Sequence, residues 1–281
     1  IKTKKQLELL ATRVKNENDE WGSKFYKMIA DIDLGATNTE AWTPIGGNGF
    51  PFDGHFDGGN FTVSGKLIAA VSEGFFGIFG LSERDSEIKN LNFSGTMDAI
   101  SATYAGSIIG VARGDIMHCS NSGNLTTVEG TLGGIAGANA KPCIACSNSG
   151  SLQGNGQVFG VSNSAIGCKN TAASISGGES WVGGISGFND VVIACWSSTT
   201  TITGTYAGAI IGYAAAGTTS CYWKQASGLK GCVMGTMTNS GSFTGNTPTA
   251  DQIAAMNAAW EVAQPTGREY KFDANGDIVK L

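Results

Sequence analysis

"AGSIIGVARGDIMHCSNSGNL" (Ala105–Leu125) returns 27 residues later as "LGGIAGANAKPCIACSNSGSL" (Leu132–Leu152). In both stretches a glycine-flanked apolar hexapeptide leads through a short link to Cys-Ser-Asn-Ser-Gly. The hexapeptide appears again as "VGGISG" (Val182–Gly187) and "AGAIIG" (Ala207–Gly212), with a degenerate copy, "FGVSN", at Phe159–Asn163. Its final positions are 27, 26, 24 and 25 residues apart. A second column runs through Cys119, Cys146, Cys168, Cys195 and Cys221, at spacings of 27, 22, 27 and 26. Leu91, in "LNFSG", holds the same place one step earlier.

A period near 25 made of short β-branched runs and glycine corners is the signature of a solenoid. One such coil cannot bury its own apolar face. Stacking coils about 4.8 Å apart pairs the backbones and aligns equivalent side chains. The predicted fold is therefore all-β, a parallel β-helix or β-solenoid of about 25-residue coils. Ile108, Ile135, Val161, Ile185 and Ile210 are expected to form one interior ladder and the cysteines another. Asn121, Asn148 and Asn170 suit a stacked turn.

The ends read differently. Thr3 and Gln6 make a capping-box pattern, and Leu7, Leu10, Ala11 and Val14 share one helical face. Thr249 and Gln252 repeat the pattern ahead of Ile253, Met256 and Trp260. "REYKFDANGDIVKL" (Arg268–Leu281) reads as a β-hairpin turning at Asn275-Gly276. The expected organisation is one solenoid domain over 1–281: a helical cap at 1–24, coils over 25–245, and a helix plus hairpin at 246–281. The end pieces are expected to cover exposed strand edges, which otherwise invite aggregation.

The glycine-rich stretch "WTPIGGNGFPFDGHFDGGNFTVSG" (Trp42–Gly65) looks at first like a phosphate cradle. Such cradles lead into a helix, whereas "NFTVSG" leads into more strand. Phe50, Phe52, Phe56 and Phe61 are expected to pack into the first coils.

Composition narrows the function. Glycine supplies 42 of 281 residues, about twice the usual share. Net charge is -5, and no basic cluster appears beyond Lys2, Lys4 and Lys5, so nucleic acid is not an expected partner. The longest apolar run, Ala207–Ala216, is about half a membrane span, so no span is expected in this fragment.

At the hexapeptides the sequence resembles a known family. "LGGIAG" and "WVGGISG", each followed by an Ile/Cys strand, resemble the GLUG motif of bacterial surface and secreted proteins, including adhesin-like proteins of gut anaerobes. "YKMIADIDL" (Tyr26–Leu34), "WTPIG" (Trp42–Gly46), "PFDGHFDGGNFTVSG" (Pro51–Gly65), "FFGIFG" (Phe75–Gly80) and "IKNLNFSG" (Ile88–Gly95) follow the order that such proteins use before their repeats. The resemblance covers roughly Tyr26 to Trp223. It implies a parallel β-solenoid at the cell surface with an adhesion role and no agreed catalytic residues. GLUG repeats also accompany a metallopeptidase family that cleaves immunoglobulin A, but its His-Glu-x-x-His zinc motif is absent here.

Few residues could carry chemistry. Between Ala99 and Lys169 the only charged residues are Arg113, Asp115, Glu129, Lys141 and Lys169, too few for a lyase or glycosidase site on the central coils. Asp31, Asp33, Asp53 and Asp57 gather near the start, where capping of backbone amides is preferred over calcium binding. "DANGD" (Asp273–Asp277) is read as a turn. His55 is read as a turn residue, and His118 stands beside a core cysteine. Five cysteines follow the repeat while Cys143 and Cys232 do not. "CIAC" (Cys143–Cys146) lacks a second half to complete a zinc site, and free thiols and disulfides both stay open.

The expectation is a non-enzymatic, adhesin-like binding protein, located at the cell surface (outer membrane-associated) or outside the cell. Its partner is expected to be an extracellular glycan or host protein, with Trp181, Tyr206, Trp196 and Trp223 as the candidate ligand-binding residues. The alternative for these aromatics is structural, rings that cover corners or pack beneath the C-terminal helix. No catalytic residue, metal or cofactor is expected, and the chain is expected to be a monomer. The alternatives are a β-helix carbohydrate-active enzyme and a structural spacer within a larger surface protein.

Overall fold

The computed structural model describes residues 1–70, 74–178, 180–188, 191–214 and 217–281. Ala215 and Ala216, the end of the longest apolar run, lie outside the described residues. The chain winds into a parallel β-solenoid of about 7 turns. Its side wall is an eight-stranded parallel sheet, one strand from each coil, running from Phe25–Lys27 to Thr218–Thr219. A thirteen-stranded sheet forms a broad face. There, Thr62–Ile68 and Asn92–Asp98 are unbroken strands paired along their whole length. In later coils the equivalent run splits into two short strands, Ser120–Asn121 and Asn124–Thr126 in the first case.

The interior is ordered as the period requires. Ile108, Ile135, Val161, Ile185 and Ile210 are all fully buried. Each of the first four donates its N–H to the next coil, as from Ile108 to the Ile135 carbonyl at 3.1 Å and from Ile185 to that of Ile210 at 2.8 Å. Phe52 and Phe56 are buried beside Phe79, with ring centroids 5.1 Å from it in each case; Phe50 and Phe61 are only half-buried.

The cysteine column is buried too, and all seven cysteines are free. Cys143 faces inward in a different column, on the side wall, where it pairs with Ala165. Desolvation pushes the Cys146, Cys168 and Cys195 thiols well above their usual range. Two residues on, a buried asparagine ladder crosses three coils. Asn121 Nδ2 donates to Asn148 Oδ1 at 2.6 Å, and Asn148 Nδ2 to Asn170 Oδ1 at 2.8 Å. Each amide thereby satisfies its neighbour in a place that water cannot reach.

Before each of these cysteines the chain turns through the left-handed region. His118, Ala145, Gly167, Ala194 and Ser220 all have φ between 50° and 63°. That single residue reverses the side-chain alternation. Met117, Ile144, Ile166 and Ile193 therefore point outward from the side wall although the cysteine two positions later points in.

Two helices open the chain, α1 (Lys4–Asn16) and the single turn α2 (Asn18–Trp21). α1 is capped by Thr3 and buries Leu7, Leu10, Ala11 and Val14 into the main core, closing the first coil. The third helix, α3 (Ala250–Ala263), begins in a full capping box between Thr249 and Gln252. The hairpin Tyr270–Phe272/Ile278–Lys280 follows it.

The sequence reading expected these last two elements over the terminal strand edges. α3 meets the last strand of the broad face only at its start, where Gln252 donates to the Ser242 carbonyl at 3.1 Å. Both elements lie on the side wall. The outward apolar stripe of Ile144, Ile166 and Ile193 needs a cover, and Ile253, Met256, Trp260 and Phe272 supply it in a second hydrophobic cluster. The far end of the solenoid is instead plugged by Leu229 and Met237, which tuck against the main core. No helix among the described residues is long and apolar enough to cross a membrane.

Candidate functional site

The glycine hexapeptide builds the part of the coil that carries the site. In Trp181–Val182–Gly183, Val182 points inward and is fully buried, so Trp181 points out. The chain then folds back on itself. Gly183 lies so close to the Ser186 carbonyl that any Cβ there would collide with it. The return strand, Ser186–Phe188, brings Phe188 out beside Trp181 seven residues later. The next coil repeats the arrangement with Tyr206 and Tyr213.

Four rings therefore meet on two adjacent coils. Trp181 and Tyr206 stack with centroids 4.2 Å apart and planes 28° apart. Phe188 and Tyr213 stack at 5.1 Å, and Trp181 reaches Tyr213 at 5.4 Å and Phe188 at 6.2 Å. Tyr206 is 38% exposed and Phe188 41%. Met234, in register with Tyr213, extends the apolar surface by one more coil.

Beyond Trp181 the same outward column continues through Gln157, Thr131, Tyr104 and Phe75, the neighbours in register on successive coils. A depression of about 270 Å3 opens there, between Tyr104 and Phe188. Its floor includes Ala138 and Phe159, and Thr131 and Gln157 stand at its edge.

The four aromatic residues singled out in the sequence thus have different fates. Trp181 and Tyr206 come together on an exposed ridge. Trp196 does not join them: it is 2% exposed, lies beneath the hairpin, and donates its indole N–H to the Gly276 carbonyl at 3.0 Å. It has no free face for a ligand, because the C-terminal cover docks over it. Trp223 is half-buried on the broad face and helps plug the end of the solenoid. Phe188 and Tyr213, aromatics of the same later coils that the sequence did not rank with the four candidates, complete the ridge. Their signal was the spacing of seven across the glycine fold, at 181/188 and 206/213.

A second cluster lies where the hairpin overhangs the side wall, around a cavity of about 370 Å3. His118 stacks on Tyr270 at 4.3 Å, and both its Nδ1 (3.0 Å) and the Tyr270 hydroxyl (3.3 Å) meet Asn90 Oδ1. Asn90 in turn donates to Asp57. Burial pushes the His118 and Tyr270 equilibria toward their neutral forms. For Asp57, burial opposes ionisation, but the hydrogen bonds from Asn90 and Gly59, with Lys27 and Lys89, outweigh it and hold its carboxyl low. Lys89 pairs with Glu87 at 2.6 Å and Lys280 with Glu269 at 3.8 Å. With its cations already paired and its rings stacked, this seam is suited to holding the hairpin down.

His55 is a strand residue of the side wall, not a turn residue, and stacks on Phe25 at 4.5 Å. Asp31 and Asp33 accept the N–H groups of Thr62 and Gly35, and Asp273 accepts those of Asn275 and Asp277 in the hairpin turn. Among the described residues no three of His, Cys, Asp and Glu converge to hold a metal ion.

No protein-family model matches the chain. A 93-residue stretch, 32% of the chain, is 29% identical to a protein of Evansella cellulosilytica named "Putative Gly-rich membrane protein". A 121-residue stretch, 40% of the chain, is 31% identical to "Halomucin" of Haloquadratum walsbyi. The matched stretches span 10% and 1% of the length of those relatives. Among solved structures, that of a "putative immunoglobulin A1 protease" from Bacteroides ovatus superimposes with a TM-score of 0.51. It covers 96% of this chain and 90% of its own at 17% identity, a likeness that shows the fold alone.

Proposed function

We propose that this chain is a non-enzymatic, adhesin-like binding module of a surface or extracellular protein, holding an extended glycan across the aromatic ridge. The observation that carries the reading is one cluster of four rings at the surface, with Phe188 and Tyr206 exposed and Trp181 and Tyr213 half-buried beside them. Aromatic rings offer flat faces for the C–H edges of sugars, and an exposed apolar cluster marks an interaction surface. Binding energy accumulates along a solenoid face because each coil adds one more contact. The GLUG resemblance and the names of the two partial relatives, one a membrane protein and one a mucin, support a place at the cell surface. The name of the structural neighbour keeps an enzymatic reading as the alternative, and the binding reading rests on the ridge, whose four side chains include no carboxylate, imidazole or thiol.

A glycan array probed with the purified chain tests this, with the Trp181→Ala/Tyr206→Ala double variant as control. Selective binding by the parent and its loss in the variant are expected. Binding to no glycan, or equal binding by the variant, refutes the reading.

A further inference from the structure

The depression beside the ridge has a structural cause. On the return side of the glycine fold the strands form two separate three-stranded sheets. One ends at Ala136–Asn139 and the other begins at Ser186–Phe188. The coil between them, around Val161–Ser164, supplies no strand there. It is also the short coil, with 22 residues from Cys146 to Cys168 where the neighbouring steps are 27. The Asn163 side chain takes over the missing pairing: its Oδ1 accepts the Asn139 N–H at 2.8 Å, and its Nδ2 faces the Asn139 carbonyl at 3.4 Å. One rung of the outer surface is thus absent, and the space it leaves is the depression.

Its lining mixes aromatic and neutral polar groups. Tyr104 and Phe188 wall it, Phe159 and Ala138 lie at its base, and no charged side chain lines it among the described residues. The Gln157 amide, the Thr131 hydroxyl and the Tyr104 hydroxyl make no hydrogen bond within the described structure, while the Asn163 amide is already engaged. At about 270 Å3 it is smaller than the ~300–1,000 Å3 typical of drug-sized ligands. Its Phe188 wall belongs to the ridge, and Trp181 stands one coil on from Gln157 at its edge.

We propose that this missing rung is a subsite for one neutral hexopyranose unit of a glycan lying along the ridge. The sugar ring packs against the aromatic walls, and its hydroxyls bond to Gln157 and Thr131. Uronates and other acidic sugars are disfavoured, because their carboxylate would be desolvated with no cation to meet it. The inference rests on the proposed glycan-binding function and adds both its position and its selectivity.

The test is calorimetric titration with hexasaccharides from a β-glucan, a mannan and a galactan, against a polygalacturonate hexasaccharide. Ala138→Phe fills the depression and Gln157→Ala removes a donor, and circular dichroism checks the fold of each. At least one neutral probe is expected to bind more tightly than the uronate. Gln157→Ala should then weaken it about three- to tenfold, and a folded Ala138→Phe by more than tenfold. Neutral binding that is lost in the Trp181→Ala/Tyr206→Ala variant but unchanged in Gln157→Ala, and in Ala138→Phe where it folds, overturns the subsite and leaves the ridge standing. Preference for the uronate overturns the selectivity. Binding of none of the probes by the parent overturns the subsite, and the array then decides whether the wider reading falls with it.

Discussion

Replacing Gly167 with alanine sets a methyl group against the indole of Trp260. Gly167 occupies the left-handed corner before Cys168 at φ 63°, and a Cβ built there would fall inside contact distance of three Trp260 ring atoms. Two costs follow. The left-handed conformation costs an L-residue about 1–2 kcal/mol. Ala145 and Ala194 accept it in the adjacent coils at φ 54° and 56°, so this part is tolerable. Overpacking against the indole adds about 1–3 kcal/mol, for a total near 2–5 kcal/mol.

A double-mutant cycle separates the two. Trp260→Ala alone should cost about 3–5 kcal/mol, since Trp260 is fully buried in the cover. In that background Gly167→Ala should lose its clash and retain only the corner cost, a coupling of about 1–3 kcal/mol. Urea unfolding followed by circular dichroism reads the sum, and hydrogen exchange over Ala250–Ala263 reports whether α3 lifts away first. Additivity within ~0.5 kcal/mol would show that Trp260 does not pack on the corner, and the account of the side-wall cover would fail.

Asn148→Ala should lower stability by about 1–3 kcal/mol in urea titration, because Asn121 loses an acceptor and Asn170 a donor, while each keeps a local bond to Gly123 or Ala172. A loss below ~0.5 kcal/mol would mean that the ladder is not a unit. The half-buried Cys232 should react first with a thiol reagent in the native protein, and the other six only on unfolding, since they are buried and desolvation keeps Cys146, Cys168 and Cys195 protonated; rapid native labelling of all seven would contradict the packing. His118 titrates lower in the folded chain than its free value of about 6.5. The unfolded chain therefore takes up the proton first, and stability present above that value is lost as pH falls through the folded one. The His118→Gln variant should lack this step in thermal melts between about pH 7 and pH 5.

The interior was legible because a strict period leaves inward positions no alternative. Ile135 sees Ile108 below and Val161 above, and the repeat alone identifies all three. The outward positions were less so. Ile144 and Cys146, two residues apart, read as one face of a strand, yet Ala145 turns through φ 54° and sends them to opposite sides. A non-glycine left-handed residue leaves no mark that periodicity can detect. The side-wall stripe was therefore hidden, and with it the docking place of α3 and which of the aromatic rings, Trp196 as it proves, packs beneath the C-terminal elements. The missing rung was visible only as the shortened 22-residue step. What that step removed depended on Asn163 replacing backbone pairing with its side chain.

The outward column on the glycine fold contains its own control. Phe75, Tyr104, Thr131, Gln157, Trp181 and Tyr206 stand at equivalent places on six successive coils. The backbone asks the same of each: the inward neighbours Ala105, Leu132, Val158 and Val182 are fully buried whether the residue outside is aromatic or polar, and Ala207 beside Tyr206 is half-buried near the end of the stack. Thr131 and Gln157 show that a modest polar side chain satisfies the fold. An aromatic at 181 and 206 is therefore not a requirement of packing, and neither are the partners Phe188 and Tyr213 on the return strand, where Ala138 serves one sheet below. Placing four rings at the surface also works against solubility. Positions that the fold leaves free, filled by residues that water disfavours and bordered by a missing rung, are the ground on which the proposed binding function rests.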